Sequence, residues 1–414
     1  MPIIYCTSFN GLDVPHVLPG LTYPGGTQYI ANVLTRYFGM GDATASSTKR
    51  NGGDTVPIIY SLFDYTSGSF SSAYGYVTVG KSSFDPKSNA LINGHFKSSV
   101  GGAITNANRG ALLDLRNFMS NRQAGFKFIL GFRLGTVYTP GCAFNQAIII
   151  GSVNASLSNT SLTTLTVPAE SNVENYIELE VSVSTPGRAL VMVYVNGVQV
   201  YYTDTTYCYG FWVGRQMSTA SNNSLYPVNT PNPHIEIRDL YLMEVKGEND
   251  IRIGSTASVV KLDLASDSSA EFRRPDGYAS NASVAKGDMT SIEDDPLKNG
   301  AMAPKNPGQV LVGDEVGQQD LYNLDISSAT STLGSVDAVV IRSVAMTPGV
   351  ASRSFSAIAR SGANQVSSSK GPTVLGSGNE YQVDNLVLNA DPADDARWNL
   401  TKLAGLKVGT KLVS

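Results

Sequence analysis

Two glutamates on one predicted strand are the residues of this chain whose type and spacing could do chemistry. Glu178 and Glu180 stand two positions apart within Tyr176–Val183, so their carboxylates would share one strand face about 7 Å apart. Paired carboxylates are the groups with which glycosidases cleave sugar polymers. The run lacks a third acid, and its strict alternation favours a solvent-facing polar edge on a half-buried strand. We therefore predict no catalytic residue.

A tyrosine-rich run between residues 201 and 212 is the second feature that could bind a ligand. Exposed aromatic rings on a β-sandwich stack on sugars or anchor a protein interface. Alternate members of such a run can instead fill the core of a strand, because strands are rich in aromatic residues. The candidates for carbohydrate binding are Tyr202, Tyr207, Tyr209 and Trp212. Two functions stay open: a carbohydrate-binding module or receptor-binding protein, and a structural protein that assembles through its surfaces. A jelly-roll glycan hydrolase is the less favoured alternative.

No residue pattern predicts a metal or a cofactor. The three histidines stand apart, and the acidic run at 391–395 lacks the alternating spacing of a calcium loop. Cys6, Cys142 and Cys208 are too few and too far apart for a disulfide framework or a zinc site. We expect the chain to fold in a reducing cytoplasm, and its first residues do not have the pattern of a signal peptide.

The composition favours a β-rich, turn-rich protein. Of 414 residues, 15% are charged and 42% are hydrophobic, with 40 Gly and 19 Pro. Ordinary globular chains carry about 25% charged residues. The net charge of -4, without a long basic run, argues against a nucleic-acid surface. No apolar stretch reaches the roughly 20 residues that a membrane-spanning helix needs, so we predict neither nucleic acid nor membrane as a partner.

Residues 1–245 read as one all-β domain of short strands. Asn196-Gly197 separates two β-rich runs and predicts a tight hairpin, because this dipeptide adopts positive φ at both central positions. Gly110–Met119 fits a helix or a strand, and the surrounding pattern makes us favour a strand. The other predicted strands are Phe126–Leu134, Tyr176–Val183, Leu190–Val195, Val198–Tyr202 and Ile235–Leu242.

Residues 246–414 predict a second β-sandwich, interrupted by a polar arm. Residues 246–285 would begin it, with strands at 251–253 and 259–262. Residues 286–319 are polar and rich in Pro and Asp, which favours an extended arm or linker. Its centre, the candidate assembly segment, is Glu293, Asp294, Asp295 and Pro296. Residues 320–414 would complete the sandwich, with strands at 338–346, 354–360, 381–388 and 406–413.

The first 245 residues resemble a concanavalin/laminin-G-like jelly roll. The resemblance lies in the order of Phe9-Asn10-Gly11, the strand Tyr176–Val183, the turn after Val193–Val195 and the late strand Ile235–Leu242. In that family a pair of aspartates is usual in the late strand. Here Arg238-Asp239 stands in its place, so one acid is missing.

The whole chain resembles virion structural proteins of tailed bacteriophages, which combine such a jelly roll with a polar connection and a second β domain. The segments that carry the resemblance are Asp320–Tyr322, Val339–Met346, Pro392–Trp398 and Leu406–Gly409. It implies a non-enzymatic part of the tail, baseplate, neck or capsid surface, located in the virion. The implied partners are other virion proteins, further copies of the chain in trimers or higher rings, and a host-surface glycan.

Overall fold

The structure is a computed structural model. It describes residues 3–8, 58–62, 75–85, 88–95, 108–120, 122–137, 147–156, 159–166, 172–216, 234–247, 252–285, 311–330, 335–345, 347, 353–368, 372–375 and 382–414.

The N-terminal part of the described chain consists of thirteen strands and one short helix. The strands are β1 (Ile3–Thr7), β2 (Ile58–Leu62), β3 (Gly75–Lys81), β4 (Asn89–His95), β5 (Asn108–Asp114), β6 (Lys127–Val137), β7 (Ala147–Val153), β8 (Asn159–Thr166), β9 (Val173–Thr185), β10 (Arg188–Val195), β11 (Val198–Thr205), β12 (Gly210–Gln216) and β13 (His234–Val245), and the helix is α1 (Arg116–Ser120).

These strands form two antiparallel sheets that pack face to face as a jelly-roll-type sandwich. Sheet I has the order β11-β10-β9-β6-β13-β4-β3, with β1 added beside β13, and sheet II has the order β2-β5-β12-β7-β8. Their facing sides supply one hydrophobic core, to which sheet I contributes Leu179 and Val193 and sheet II contributes Ile150 and Phe211. We call the side of sheet I that points away from this core its outer face.

The predicted hairpin is confirmed. β10 and β11 pair across Asn196 and Gly197, whose φ angles are 50° and 85°. Both values lie in the left-handed region that the tight turn requires. The prediction for Gly110–Met119 is right only in its first half, because a strand ends at Asp114 and Phe118 belongs to α1.

In the middle of β13, the alternation between residues that face the sandwich core and residues that face outward shifts by one position. Ile235 and Ile237 point into the sandwich core, whereas further on it is Leu240 and Leu242 that do so. The change occurs at Asp239, which has a φ of 53° and lies at an irregularity in the pairing with β6. A bulge of this kind re-aims the side chains that follow it. It turns Tyr241 toward the outer face of sheet I.

The C-terminal part of the described chain is a second set of strands with three short helices. The strands are β14 (Asp263–Ala270), β15 (Gln319–Asp325), β16 (Val339–Ala345), β17 (Arg353–Ser361), β18 (Asn364–Ser367), β19 (Thr373–Leu375), β20 (Gln382–Leu388) and β21 (Lys407–Leu412), and the helices are α2 (Asn281–Ala285), α3 (Ser327–Thr330) and α4 (Leu400–Gly405).

A second core lies between a six-stranded sheet and the β16–β20 pair. The sheet has the order β14-β15-β21-β17-β18, with β19 beside β17. Ile341 and Leu386 of the pair share this core with Ala357 of the sheet, with Leu403 and with Trp398. The Trp398 indole N–H donates to the Leu388 carbonyl at 3.0 Å, so the one polar atom of this buried ring is satisfied. The all-β prediction, with a sandwich at each end, is confirmed.

The two sandwiches contact each other on the outer face of sheet I. A small apolar cluster joins Ile129, Tyr176 and Met243 to Ala338 and Val387 of the second sandwich. The Ile3 backbone N–H donates to the Asn389 side chain at 2.7 Å, and the Asn389 amide donates back to the Ile3 carbonyl at 3.3 Å. Part of the outer face is therefore covered.

The connection between the sandwiches differs from the prediction. Residues 252–262 contain no strand, so the predicted strand at 259–262 is wrong. Of the predicted arm, residues 286–310, with Glu293, Asp294, Asp295 and Pro296, lie outside the described residues. Val312 and Arg273 form an isolated antiparallel backbone bridge. The domain boundaries stay predictions.

Within the described ranges, no helix is long and apolar enough to cross a membrane.

Candidate functional site

Glu178 lies in a buried polar cluster on the outer face of sheet I. Its side chain is 0% exposed, so the prediction that it faces solvent is wrong. The Oε1 atom accepts hydrogen bonds from the Tyr241 hydroxyl at 2.8 Å and from the Gly254 backbone N–H at 3.2 Å. The Tyr176 and Tyr241 hydroxyls are 2.8 Å apart, and Arg252 Nη1 lies 3.5 Å from Glu178 Oε2.

The cluster is closed by residues 252–259, which we call the covering segment. Arg133 Nη2 donates to the carbonyls of Ser255 at 2.7 Å and Ala257 at 3.1 Å. Asp239 Oδ1 accepts from the Val259 backbone N–H at 3.1 Å. The covering segment has no secondary structure to pair its backbone groups. Here charged side chains of sheet I bind some of those groups.

A group of charges beside Asp239 orients the side chains that hold the covering segment. Arg238 donates to both oxygens of Glu174, at 2.6 and 2.8 Å. Arg133 lies 3.1 Å from Asp239 and 3.4 Å from Glu174. Burial raises the pKa of Asp239 above its usual value, against the opposing effects of the Val259 N–H and the two arginines. These charged groups bind one another and backbone groups of the covering segment, so their role is structural.

The cluster is poorly suited to acid–base chemistry. Burial raises the pKa values of Tyr176 and Tyr241 well above the ordinary value for tyrosine, so both stay protonated. Glu178 has no access to solvent, and a general base must reach the proton that it abstracts. Glu180, its neighbour on the same face, is half-buried instead. The two glutamates therefore do not form a catalytic pair at the surface.

The four aromatic candidates lie in different places. Tyr202 is 68% exposed, Tyr207 and Tyr209 are half-buried, and Trp212 is 2% exposed. Trp212 lies on β12 with its indole over Gly151 of β7, where a β-carbon would stand 2.1 Å from the ring. This burial removes Trp212 from a surface-binding set. Tyr202 is the candidate that presents its ring to solvent, and its binding role stays a prediction.

Tyr202 stands at the end of a row of side chains across three strands. Met192 of β10 pairs with Tyr202 of β11 on one side and with Glu180 of β9 on the other. Leu179 and Val193, next to Glu180 and Met192 in sequence, point into the core, so the row points outward. Leu190 is the centre of a second such row, between Ser182 and Asp204.

The edge of sheet I carries a second exposed feature. Among the described strands, β11 pairs with β10 alone. Near the hairpin turn, Val198 is 66% exposed and Val200 is 43% exposed. A free strand edge with exposed apolar residues is a place where another chain can attach.

No cation site and no catalytic set emerge from the described part of the chain. Among those residues, no group of three or more His, Cys, Asp or Glu side chains could hold a metal ion. Cys6 and Cys208 are free, and burial raises the pKa of each thiol to about 11. Thiols with raised pKa values are poor nucleophiles at neutral pH.

Sequence reasoning missed the partners of Glu178, namely Tyr241, Arg252 and Gly254. One signal was present: Tyr176 puts a large aromatic ring on the face opposite the core, where polar residues are the rule for a solvated face. Nothing in the sequence pointed to the covering segment.

Comparisons with known proteins give structural similarity alone. No protein-family model and no curated protein matches the chain. Among solved structures, an alginate lyase from Corynebacterium sp. is 12% identical, with 45% of this chain and 93% of that chain covered and a TM-score of 0.27. An endo-β-1,4-glucuronan lyase from the fungus Trichoderma reesei is 11% identical, with 44% and 93% covered and a TM-score of 0.24.

A xylan-binding domain from Paenibacillus barcinonensis is 9% identical to the chain, with 46% of this chain and 94% of that chain covered and a TM-score of 0.24. At these identities and TM-scores the sandwich assignment rests on the strand pairing of the chain itself.

Proposed function

We propose that the chain is a non-enzymatic structural component of a tailed bacteriophage particle and that it acts by associating with other subunits. The observation that supports association best is the edge of sheet I, where β11 pairs with β10 alone among the described strands and exposes Val198 and Val200. Interfaces between subunits have apolar, charge-poor centres. The strand β11 has one charged residue, Asp204, and it lies at the end away from these valines.

The use of charge in the described part of the chain also supports a structural role. Arg133, Glu178 and Asp239 of sheet I hold the covering segment in place through hydrogen bonds to its backbone. The sandwiches also contact each other through Ile3 and Asn389 and through the apolar cluster with Ala338 and Val387. Such contacts suit a building block that must keep one shape within an assembly.

A charge introduced at the free edge tests the proposal. We expect the purified chain to form a homo-oligomer, such as a trimer or a higher ring, in light scattering coupled to size exclusion. Val198→Lys should shift it toward monomer, because an interface core excludes an unpaired ammonium. The matched control is Val374→Lys: Val374 is 62% exposed, on β19 of the second sandwich, so this change should leave the oligomer intact.

The place of the chain in a particle needs a separate measurement. A gold-labelled antibody against the chain should decorate intact virions at a fixed copy number per particle. A wild-type chain that stays monomeric at all concentrations, together with unlabelled virions, would overturn the proposal.

Glycan contact is the second candidate function, and the exposure of Tyr202 is the observation that favours it. An aromatic ring that is 68% exposed on a strand offers an apolar surface to the C–H face of a sugar. Glycan-array binding that is lost in Tyr202→Ala would support this candidate, and an array without signal would refute it.

A further inference from the structure

The outer face of strands β9, β10 and β11 carries two parallel rows that combine apolar centres with polar ends. The first row is Glu180, Met192 and Tyr202, and the second is Ser182, Leu190 and Asp204. Neighbouring strands are about 4.8 Å apart, so Glu180 and Tyr202 stand roughly 9.6 Å apart at their backbones, with Met192 between them. This is a floor of Met and Leu, bordered by the Tyr202 ring, by Tyr194, whose hydroxyl lies 3.7 Å from the Met192 sulfur, and by oxygen atoms.

We propose that this face is a binding site for an uncharged sugar, with Tyr202 as the stacking ring and Glu180 as an acceptor of sugar hydroxyls. A pyranose has one apolar C–H face and a rim of hydroxyl donors. The C–H face requires an aromatic or apolar surface, and the hydroxyl rim requires nearby hydrogen-bond acceptors. Tyr202 and Met192 supply the surface, and the Glu180 carboxylate supplies the acceptor. The proposal rests on the second candidate function and specifies its site and ligand class.

The charges around the face favour a neutral ligand over an acidic one. Two arginines are near, but each is already paired: Arg188 lies 3.0 Å from Asp204, and Arg252 lies 3.5 Å from Glu178. The Arg252 guanidinium also lies 3.4 Å from the centre of the Tyr194 ring. Burial raises the pKa of the Tyr194 hydroxyl, and the negative charge of Glu180 raises it further. The Glu180 carboxylate therefore acts electrostatically on the neighbouring strand of this face. A carboxylate or sulfate on the sugar would be repelled.

The site needs little reorganisation to bind. Its side chains stand on three consecutive antiparallel strands, two of which, β9 and β10, extend over 13 and 8 residues. Side chains on a paired sheet lose less freedom on binding than those on loops, which improves affinity for a given contact. One stacking ring still gives weak binding, with a dissociation constant on the order of a millimolar. Repetition of the chain in an oligomer would increase the avidity.

Affinity electrophoresis tests the proposal, with the full chain run through native gels that contain a polysaccharide. The neutral probes are dextran, mannan, xylan and galactan, and polygalacturonate is the acidic probe. We expect retardation by at least one neutral polysaccharide and none by polygalacturonate. Tyr202→Ala should weaken the retardation at least tenfold, and Glu180→Gln should weaken it several-fold. Tyr278→Ala is the matched control, since Tyr278 is a half-buried ring between β14 and α2, outside the two rows, and it should change nothing.

Four results would overturn the proposal: no retardation by any neutral probe, retardation by polygalacturonate alone, undiminished binding by Tyr202→Ala, or equal loss in Tyr278→Ala. If Tyr202→Ala changes only the oligomeric state, the face is a protein interface and not a sugar site. Failure here is distinguishable from failure of the assembly proposal, because that proposal is read by light scattering on Val198→Lys and requires no sugar.

Discussion

The ring of Tyr241 lies over Gly131, so close that a β-carbon on the glycine would stand 2.1 Å from it. Gly131 belongs to β6, which separates β9 from β13, and it pairs with Glu178 on one side and with Tyr241 on the other. Because the central position has no side chain, the Tyr241 hydroxyl reaches across β6 to Glu178 at 2.8 Å. The buried cluster therefore requires glycine at position 131, because a methyl group there would overlap the Tyr241 ring.

Gly131→Ala should therefore break the cluster. We expect a loss of about 1–3 kcal/mol in the free energy of unfolding, the usual cost of an added group in a filled site, measured by urea denaturation. Gly405→Ala is the control: a β-carbon at Gly405 meets nothing within 4 Å, so this change should be neutral or slightly stabilising. In a Tyr241→Ala background, Gly131→Ala should cost much less, and an undiminished cost would contradict the contact.

Glu178→Gln should destabilise the fold much more than Glu180→Gln. The first change leaves Arg252 without its carboxylate partner, and removal of one member of a buried ion pair costs about 3–5 kcal/mol. Since the Arg252 side chain is 28% exposed, we expect the lower end, about 3 kcal/mol. Glu180 is half-buried, and its change should stay within about 0.5 kcal/mol. Equal effects in chemical denaturation would show that Glu178 is not specially held.

Alternation along the strands was enough to predict β9, β10, β11 and the turn at Asn196-Gly197. One face of each strand is buried, so apolar residues recur with a period of two, and the turn depends on local φ preferences. The same reasoning misplaced Glu178. Alternation separates the two faces of a strand, but it does not show that residues distant in sequence cover the polar face.

Two further features lie beyond sequence periodicity for physical reasons. The covering segment has no regular backbone pairing, since side chains such as Arg133 satisfy its carbonyls, and such bonds leave no pattern in its own residues. The phase change of β13 rests on the φ of 53° at Asp239. Aspartate tolerates that conformation better than most residues, but the residue type alone does not require it.

Asp239→Asn should alter the pH dependence of stability. Burial raises the pKa of Asp239 above 3.8, so the folded chain binds this proton more tightly than the unfolded chain does. Stability from this group is present below pH 3.8 and is lost as the pH rises through the raised folded value. The stability of the wild type minus that of Asp239→Asn should thus decrease as the pH rises above 3.8. Asparagine suits the substitution, because it also tolerates positive φ.

The free energies of unfolding of the wild type and of Asp239→Asn are measured by urea denaturation at a series of pH values. The contributions of the other carboxyl groups cancel in the difference between the two. The groups that face Asp239 are Arg133, Arg238, Glu174 and the Val259 N–H. A difference that instead increases with pH would show that the two arginines outweigh the burial of the carboxylate.

Asp320 should be as important to the second sandwich as Glu178 is to the first. Its side chain is 0% exposed. Oδ1 accepts from the backbone N–H groups of Glu271 and Phe272 at 2.7 and 2.8 Å, and Oδ2 accepts from the Asn281 amide and the Tyr322 hydroxyl at 2.7 and 2.9 Å. The carboxylate thereby joins the end of β14 to α2 and to its own strand, β15.

Asp320→Asn replaces one of these acceptor atoms with an NH₂ donor that faces other donors. Hydrogen bonds to a charged group contribute about 1.5–3 kcal/mol each, so we expect a loss of about 3 kcal/mol or more in the free energy of unfolding. Asp263→Asn, on the exposed end of β14, is the control and should cost less than about 0.5 kcal/mol. Tyr322→Phe removes one bond alone and should lie between them. Hydrogen exchange should show reduced protection at Glu271 and Phe272 or in α2, and unchanged protection at all of these would contradict the role of Asp320.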